Sequence, residues 1–418
     1  MSRKGLWIAL VLGLLFFLGS RVLSLGMAEH YARTDPERAL VWRGNHSGAL
    51  NRLAQRHAEM GQWRQSVETA RSALRANPLD GQSLRILAQA AEAEERTDEA
   101  LVLFRKAMRL APRDQLVRFR LLQEALKNRN AAAALTQLDA LLRLNPELLT
   151  VLQPQLDLLA VNPAAQNAMV DMLNRQPPWR SGFLAALAGS NYPTEAIMPI
   201  FAKIKGKNAL SELEPWLSRL RRENHHMLAY LTWVNLIPEA QRSYLGNVFD
   251  GGFELPQEAH LGPFAWNAPP LAGTQAYWAT TRGTIGQSSY FVQFEGRRTP
   301  FGHLWQSLAL PAGNWRLTWR ARGDRLDTQR GLVWRVLCEP EGTVLAESEP
   351  MMGRFDWRQL GLAFEVPASC PGQRLLLTIP ARIPAETVIN GTFWLDDVQI
   401  SPISGILSQE QPQPEQPE

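Results

Sequence analysis

Three prolines, Pro78, Pro112 and Pro146, recur at a spacing of 34 residues, and this period constrains the fold more than any other feature of the chain. A repeat of this length means one supersecondary unit copied along the chain, each copy burying its apolar face against the next. On the 34-residue frame Leu50, Leu84 and Arg118 share one position, and Leu53, Leu87 and Leu121 another. Ala54, Ala88 and Leu122 follow, then His57, Ala91 and Ala125. A second set aligns Ser66, Ala100 and Ala134, then Ala70, Phe104 and Leu138, then Ala73, Ala107 and Leu141. Within each set the steps of three and four residues trace one face of a helix. Small residues at fixed points let paired helices approach closely, and proline follows the second helix of each pair, where a helix cannot continue.

This period and pattern resemble tetratricopeptide repeats, helix–turn–helix units that stack into a solenoid. The resemblance implies a concave surface that holds a protein partner and performs no catalysis. Two departures stand out: Arg118 replaces a large apolar residue, and the glycine between paired helices occurs only as Gly61. Clear repeats span 47–146 within an array assigned to 28–246. Over 147–246 the frame decays but helical patterning continues, with helices expected at 164–175, 181–188, 194–205, 209–222 and 225–236. Those helices read equally as degenerate repeats or as a helical cap. Lys203, Lys205 and Lys207 read as a solvated helix end, with an anionic contact the less favoured alternative.

The texture changes at Asn247. Hydrophobic residues make up 45% of the chain and charged residues 20%, which excludes a disordered or multi-spanning chain, but the charge is uneven. After Gly246 there are 13 basic residues, all arginine, against 18 acidic ones, and eight of the 14 tryptophans. Trp315, Leu317, Trp319 and Ala321 alternate with Arg316, Thr318, Arg320 and Arg322, the period of a half-buried strand. Other strands are expected at 290–294, 305–310, 332–338, 360–366, 375–379 and 393–400. Seven or eight short strands separated by Gly- and Pro-bearing turns specify an antiparallel sandwich over 247–403.

Three segments occur in order in this region: Asn247-Val-Phe-Asp-Gly-Gly-Phe-Glu254, Leu310-Pro-Ala-Gly-Asn-Trp-Arg-Leu317 and Trp394-Leu-Asp-Asp-Val-Gln-Ile400. Together they resemble the galactose-binding-type jelly roll of carbohydrate-binding modules. The resemblance implies that Glu254 and Asp397, or Asp396, hold a structural calcium, carboxylates suiting a hard cation. The alternative is that Glu254 accepts backbone hydrogen bonds at the sheet edge; no other cofactor is required. A sugar platform needs exposed aromatic rings with polar groups around them. Trp266, Tyr277, Trp278 and Trp305, read as loop or strand-start residues, are the candidate rings. Arg320, Arg322 and Arg335, on outward faces, are candidates for hydroxyl or acidic groups of a sugar. Trp315, Trp319, Trp334 and Trp394 are most simply core. Cys338 and Cys370 both fall in this region and pair if the domain is exported; in a reducing compartment they are two separate thiols.

Residues 6–19 are apolar and follow Arg3 and Lys4. Extended to Leu25, with Arg21 reaching to the interface, the run spans a membrane. Residues 1–27 are therefore read as an uncleaved anchor in preference to a signal cut after Gly26 or Ala28. The tail, 404–418, is rich in Pro, Gln and Glu and is expected to be disordered.

No phosphate loop, zinc helix or nucleophile elbow occurs, and the paired His225 and His226 lack a third ligand at metal spacing. The chain thus reads as a multidomain α + β protein: membrane helix, all-α tetratricopeptide-like solenoid, antiparallel jelly-roll sandwich. It resembles bacterial envelope proteins associated with exopolysaccharide or O-antigen synthesis. That implies a non-catalytic accessory protein, single-pass in the inner membrane with its bulk in the periplasm. Its repeats would hold a protein and its sandwich a polysaccharide; no nucleic-acid partner is expected. The rival reading is a pure protein scaffold of an envelope, secretion or pilus assembly that binds no sugar.

Overall fold

A computed structural model of the chain describes residues 3–259 and 261–403, so the expected disorder of 404–418 lies outside the described residues. The chain divides into two compact units, Met1–Trp179 and Arg180–Glu418.

The first unit opens with α1 (Arg3–Ala32), a continuous helix of 30 residues. Among the described residues it is the one helix long and apolar enough to cross a membrane, over Leu10–Ala32. Its last turns also belong to the array. Ala28 and Ala32 are buried, and Ala32 packs with Ala39 of α2 (Pro36–Trp42) and with Ala49. Three helix pairs follow at the 34-residue period: α3 (Ser47–Glu59) with α4 (Trp63–Ala76), α5 (Gly81–Ala93) with α6 (Thr97–Leu110), and α7 (Gln115–Lys127) with α8 (Ala131–Leu144). The small residues do what the period requires: Ala54, Ala88, Ser66, Ala100, Ala134, Ala70, Ala73 and Ala107 are all buried to within 1%. N-caps recur on the same spacing, His46, Asp80 and Asp114 each accepting a backbone N–H of the first turn. The turn between paired helices needs a left-handed residue, and Gly61, Glu95 and Arg129 adopt φ of 73°, 61° and 54°. Glycine is thus replaced in two repeats without a change of backbone. Arg118 directs its guanidinium to the Pro112 carbonyl, 2.7 Å from Nε, and to Gln137, which explains how a charge occupies an apolar position of the frame. A further pair, α9 (Leu149–Ala160) and α10 (Pro163–Leu173), closes the unit; Pro154 inside α9 masks that helix in the sequence.

The second unit begins with five helices: α11 (Arg180–Ala188), α12 (Thr194–Phe201), α13 (Ala209–Glu212), α14 (Glu214–Arg222) and α15 (His226–Leu236). The expected 209–222 helix is broken at Leu213; Pro215 has no N–H to continue the ladder and sits in the first turn of α14, where none is needed. Among the described residues nine strands follow: β1 (Thr274–Thr280), β2 (Ser288–Arg298), β3 (Leu304–Leu308), β4 (Gly313–Thr328), β5 (Val333–Glu339), β6 (Val344–Glu347), β7 (Gly353–Val366), β8 (Gly372–Thr378) and β9 (Val388–Pro402). They form a five-stranded sheet, β1-β2-β9-β4-β7, and a four-stranded sheet, β3-β8-β5-β6, with every pair antiparallel. The shared core holds Trp315, Trp319, Trp334, Tyr290 and Phe294, as alternation on β2, β4 and β5 dictates. Cys338 at the end of β5 is joined to Cys370 before β8 by a disulfide, Cα to Cα 5.7 Å.

Contacts, unlike sequence texture, place the break at Arg180 instead of Asn247, because α14 and α15 are packed onto the sandwich. Trp233 is fully buried, donates from Nε1 to the Leu261 carbonyl at 2.8 Å, and meets Phe249 edge-on at 5.0 Å. Tyr230 meets Phe264 edge-on at 5.3 Å. His226 lies so close to Gly372 of β8 that a Cβ there would stand 2.0 Å from Nδ1. Arg221 donates to Ser307 on β3 at 2.9 Å. These helices cover part of the outer side of the four-stranded sheet and leave the outer side of the five-stranded sheet to be considered as a binding surface.

Candidate binding face

Alternation on β4 puts Arg316, Thr318, Arg320 and Arg322 outward on the five-stranded sheet, opposite to the buried Trp315, Leu317, Trp319 and Ala321. Strand register then sets their neighbours. Tyr277 of β1 pairs with Phe291 of β2, Phe291 with Trp394 of β9, and Trp394 with Arg322 of β4. The rings follow one another at centroid distances of 5.0 Å (Tyr277–Phe291) and 5.5 Å (Phe291–Trp394), and the Arg322 guanidinium lies 4.8 Å over the Trp394 ring. Tyr277 is 49% exposed, and Phe291, Trp394 and Arg322 are half-buried. The result is an aromatic row running across the strands and ending in a cation. Two strand steps separate Tyr277 from Trp394, about 10 Å at ordinary sheet spacing. Beside it runs a polar row, Gln275, Gln293, Thr392 and Asp324, set by the same register.

A wall closes the other side. The β1–β2 connection, 281–287, reaches across the face toward β7, where Trp357 Nε1 donates to the Arg282 carbonyl at 3.1 Å. A Cβ on Gly283, which has a φ of 87°, would stand 2.8 Å from the Trp357 ring, so only glycine fits this crossing. Midway, Asp396 Oδ2 accepts from Ile285 N at 2.7 Å while Oδ1 accepts from Asp397 N at 2.7 Å. A bulge between Thr318 and Arg320 in the β4–β9 ladder, with Asp397 at φ 51°, turns Asp396 under this connection. Glu254 Oε1 holds the returning strand through Gln287 N at 2.8 Å and Ser288 N at 3.1 Å. Burial is the main influence on Asp396, pushing its carboxyl up to about 6 against the pull of the two amides and Arg320.

The candidate residues separate into three groups. Tyr277, Arg320 and Arg322 are on this face; Tyr277 is a strand residue, and β1 escapes the sequence pattern because both of its faces mix polar and apolar residues. Arg320 lies 5.5 Å over the Trp357 ring. Trp305 and Arg335 are on the other sheet: the Arg374 guanidinium stacks on Trp305 at 4.8 Å, and Arg335 pairs with Glu347 at 2.6 Å. Trp266 is corrected to a core position, and Trp278 is partly buried against that core. Trp266 is 3% exposed, donates from Nε1 to the Asp250 carbonyl at 2.9 Å and stacks on Phe253, so neither ring face is open to a ligand. Trp278 points to the inner side of β1, edge-on to Phe253 and Tyr290, both at 5.5 Å. Trp394, read as core, is instead the last ring of the row, Phe291 is its middle ring, and Trp357 belongs to the wall. The signal was available for Trp394, whose neighbours Phe393 and Leu395 take the inward positions of the same alternation.

Glu254, Asp396 and Asp397, the carboxylates implied to hold calcium, each accept hydrogen bonds within the chain. Glu254 Oε1 and both Asp396 oxygens accept backbone N–H groups, and Asp397 Oδ1 accepts from Gln399 at 2.5 Å. Among the described residues no cluster of three or more His, Cys, Asp or Glu side chains forms. Elsewhere a cavity of about 190 Å³ lies between α14–α15 and the four-stranded sheet. Its charges largely answer one another: Glu339 takes Arg374 at 2.6 Å, with Arg221 and His226 at 3.8 and 3.9 Å.

Residues 51–114 match the tetratricopeptide-repeat family model. The match runs from within α3 through α6, so these helix pairs are tetratricopeptide repeats, and α7 and α8 continue their 34-residue period. Among curated proteins nothing matches the chain. Among solved structures the β domain is similar to a family-4 carbohydrate-binding module ("CBM4 structure and function"), at 12% identity and a TM-score of 0.27, covering 38% of this chain and 99% of that one. The CBM22-1 xylan-binding domain of Paenibacillus barcinonensis Xyn10C is similar at 12% identity and a TM-score of 0.25, over 37% of this chain and 93% of that one. Pseudomonas aeruginosa PilF is similar at 18% identity and a TM-score of 0.25, over 51% of this chain and 96% of that one. At these values the likenesses say nothing about what this chain binds.

Proposed function

We propose that this protein is a non-catalytic scaffold whose repeats hold a protein partner and whose five-stranded sheet face binds a glycan. The observation that carries the glycan reading is the row Tyr277–Phe291–Trp394. It offers flat apolar rings to the C–H faces of sugars, with Gln275, Gln293 and Thr392 beside it for hydroxyls and the 281–287 wall to set direction. The apolar α1 supports membrane attachment, and the disulfide supports an oxidising compartment. On that basis the protein is anchored in a bacterial inner membrane, faces the periplasm and serves polysaccharide synthesis or export.

Affinity electrophoresis of the full chain in detergent against immobilised polysaccharides tests the glycan reading. Retardation by at least one polymer is expected, reduced about tenfold in affinity by Trp394→Ala or Tyr277→Ala, since an aromatic ring stacked on a ligand is worth a kilocalorie or more. Undiminished retardation in both variants, or none by any polymer, would reject the face as a sugar site.

A further inference from the structure

Resting on that reading, we infer that the glycan is acidic and that Arg322 selects it by binding a carboxylate carried on the sugar ring. Three observations converge on this. First, the aromatic row does not end in another ring or in solvent but in a guanidinium, centred 4.8 Å over Trp394. Phe291 is inclined at 60° to Trp394, so a sugar resting on the row lies against Phe291 and the exposed edge of Trp394 and presents its substituents to Arg322. Second, this cation is weakly engaged by the protein. Its ion partner is Asp356, 3.9 Å away on a side chain that is 90% exposed. An exposed pair of that length contributes little and gives way to a better acceptor. The arginines with structural duties look different: Arg374 is held by Glu339 at 2.6 Å and Arg354 by Asp324 at 2.8 Å. Third, Arg322 is not alone. Arg320 and Arg316 share the outward side of β4, and Arg320 is laid on Trp357 beside the wall. The positive side chains thus form a strip at one end of the aromatic row, while the other end is the uncharged Tyr277.

The acids on this face do not cancel the strip. Asp324 is taken up by Arg354, Asp396 is buried beneath the wall, and Asp356 remains solvated. A planar guanidinium offers two parallel N–H groups to one carboxylate, and partial shielding by the indole makes that contact stronger than one in open water. A uronic acid unit, with its carboxylate at the ring edge, fits this arrangement of ring and fork. A neutral hexose leaves Arg322 with only Asp356.

The full chain in detergent is titrated with a galacturonate oligosaccharide and with the same oligosaccharide after reduction of its carboxyl groups to hydroxymethyl groups. The acidic form is expected to bind at least tenfold more tightly, and the gap to shrink as salt is raised. Arg322→Gln should erase most of the difference between the two sugars. Tyr277→Ala should weaken both sugars together. Equal affinity for acidic and reduced sugars overturns the acid selectivity while leaving the platform intact. Binding of polyglutamate as tight as that of the uronate overturns it too, since charge alone would then suffice. Failure of both sugars and of every neutral polymer removes the platform itself. Arg322 is half-exposed and outside the core, and Arg322→Lys, which keeps the charge without the fork, should retain only part of the selectivity.

Discussion

Asp396 and His303 are both buried in the sandwich and titrate in opposite senses. The Asp396 carboxyl is pushed up to about 6, so the folded protein takes up a proton before the unfolded chain does, and acidification from pH 6 toward 4 adds stability. His303, hydrogen-bonded to the buried Tyr290 hydroxyl at 3.2 Å, is pushed down by burial to about 4. There the unfolded chain protonates first, and stability is lost over nearly the same window. Shifts of this size correspond to roughly 3 kcal/mol each, with opposite sign. The wild type should therefore show a shallow melting profile between pH 7 and 4. Asp396→Asn should fall more steeply on acidification than the wild type, and His303→Gln should rise. Three parallel curves in thermal melts would refute the assignment. At this scale the sequence was legible where alternation was regular: Arg320 and Arg322 were placed outward from the β4 pattern alone. It was illegible for Trp266, which precedes the strands in an irregular segment, where no period says which side is buried.

The 281–287 connection is the element that turns a flat sheet into a groove, and it is held by carboxylates. Glu254 and Asp396 together accept four backbone N–H groups, three of them from residues 285–288. Melting curves in excess EDTA and in millimolar calcium should therefore superimpose, whereas Glu254→Gln should cost about 1–2 kcal/mol through the loss of charge-assisted bonds. A calcium-dependent rise of several degrees would show that a cation displaces these amides. The motif containing Glu254 was visible in sequence, but which atoms its carboxylate meets was not, because those partners are some thirty residues away and are brought in by a turn. The repeats show the reverse. Their helices were readable from spacing and small residues, although two of three inter-helix turns lack glycine, since Glu95 and Arg129 accept the left-handed backbone.

On the scale of the whole chain, helices α14 and α15 count with the β domain. A fragment of residues 180–403 should fold, with a cooperative thermal transition. A fragment of 247–403 should expose Phe249 and Phe264, normally covered by Trp233 and Tyr230, and should bind a hydrophobic dye and melt at least 10 °C lower. Equal stability of the two fragments would return the boundary to Asn247. Class and order were already present in the chain: a 34-residue period can only be satisfied by copies that bury the same small residues, and period-two alternation can only be satisfied by strands. Those are local rules, met within one or two elements. The partner of each face was decided by tertiary structure alone, through registers that bring Tyr277, Phe291, Trp394 and Arg322 into one row from four separate strands. The same holds for the helices packed on the four-stranded sheet. Burial depends on what arrives from far along the chain, and no local pattern encodes that arrival.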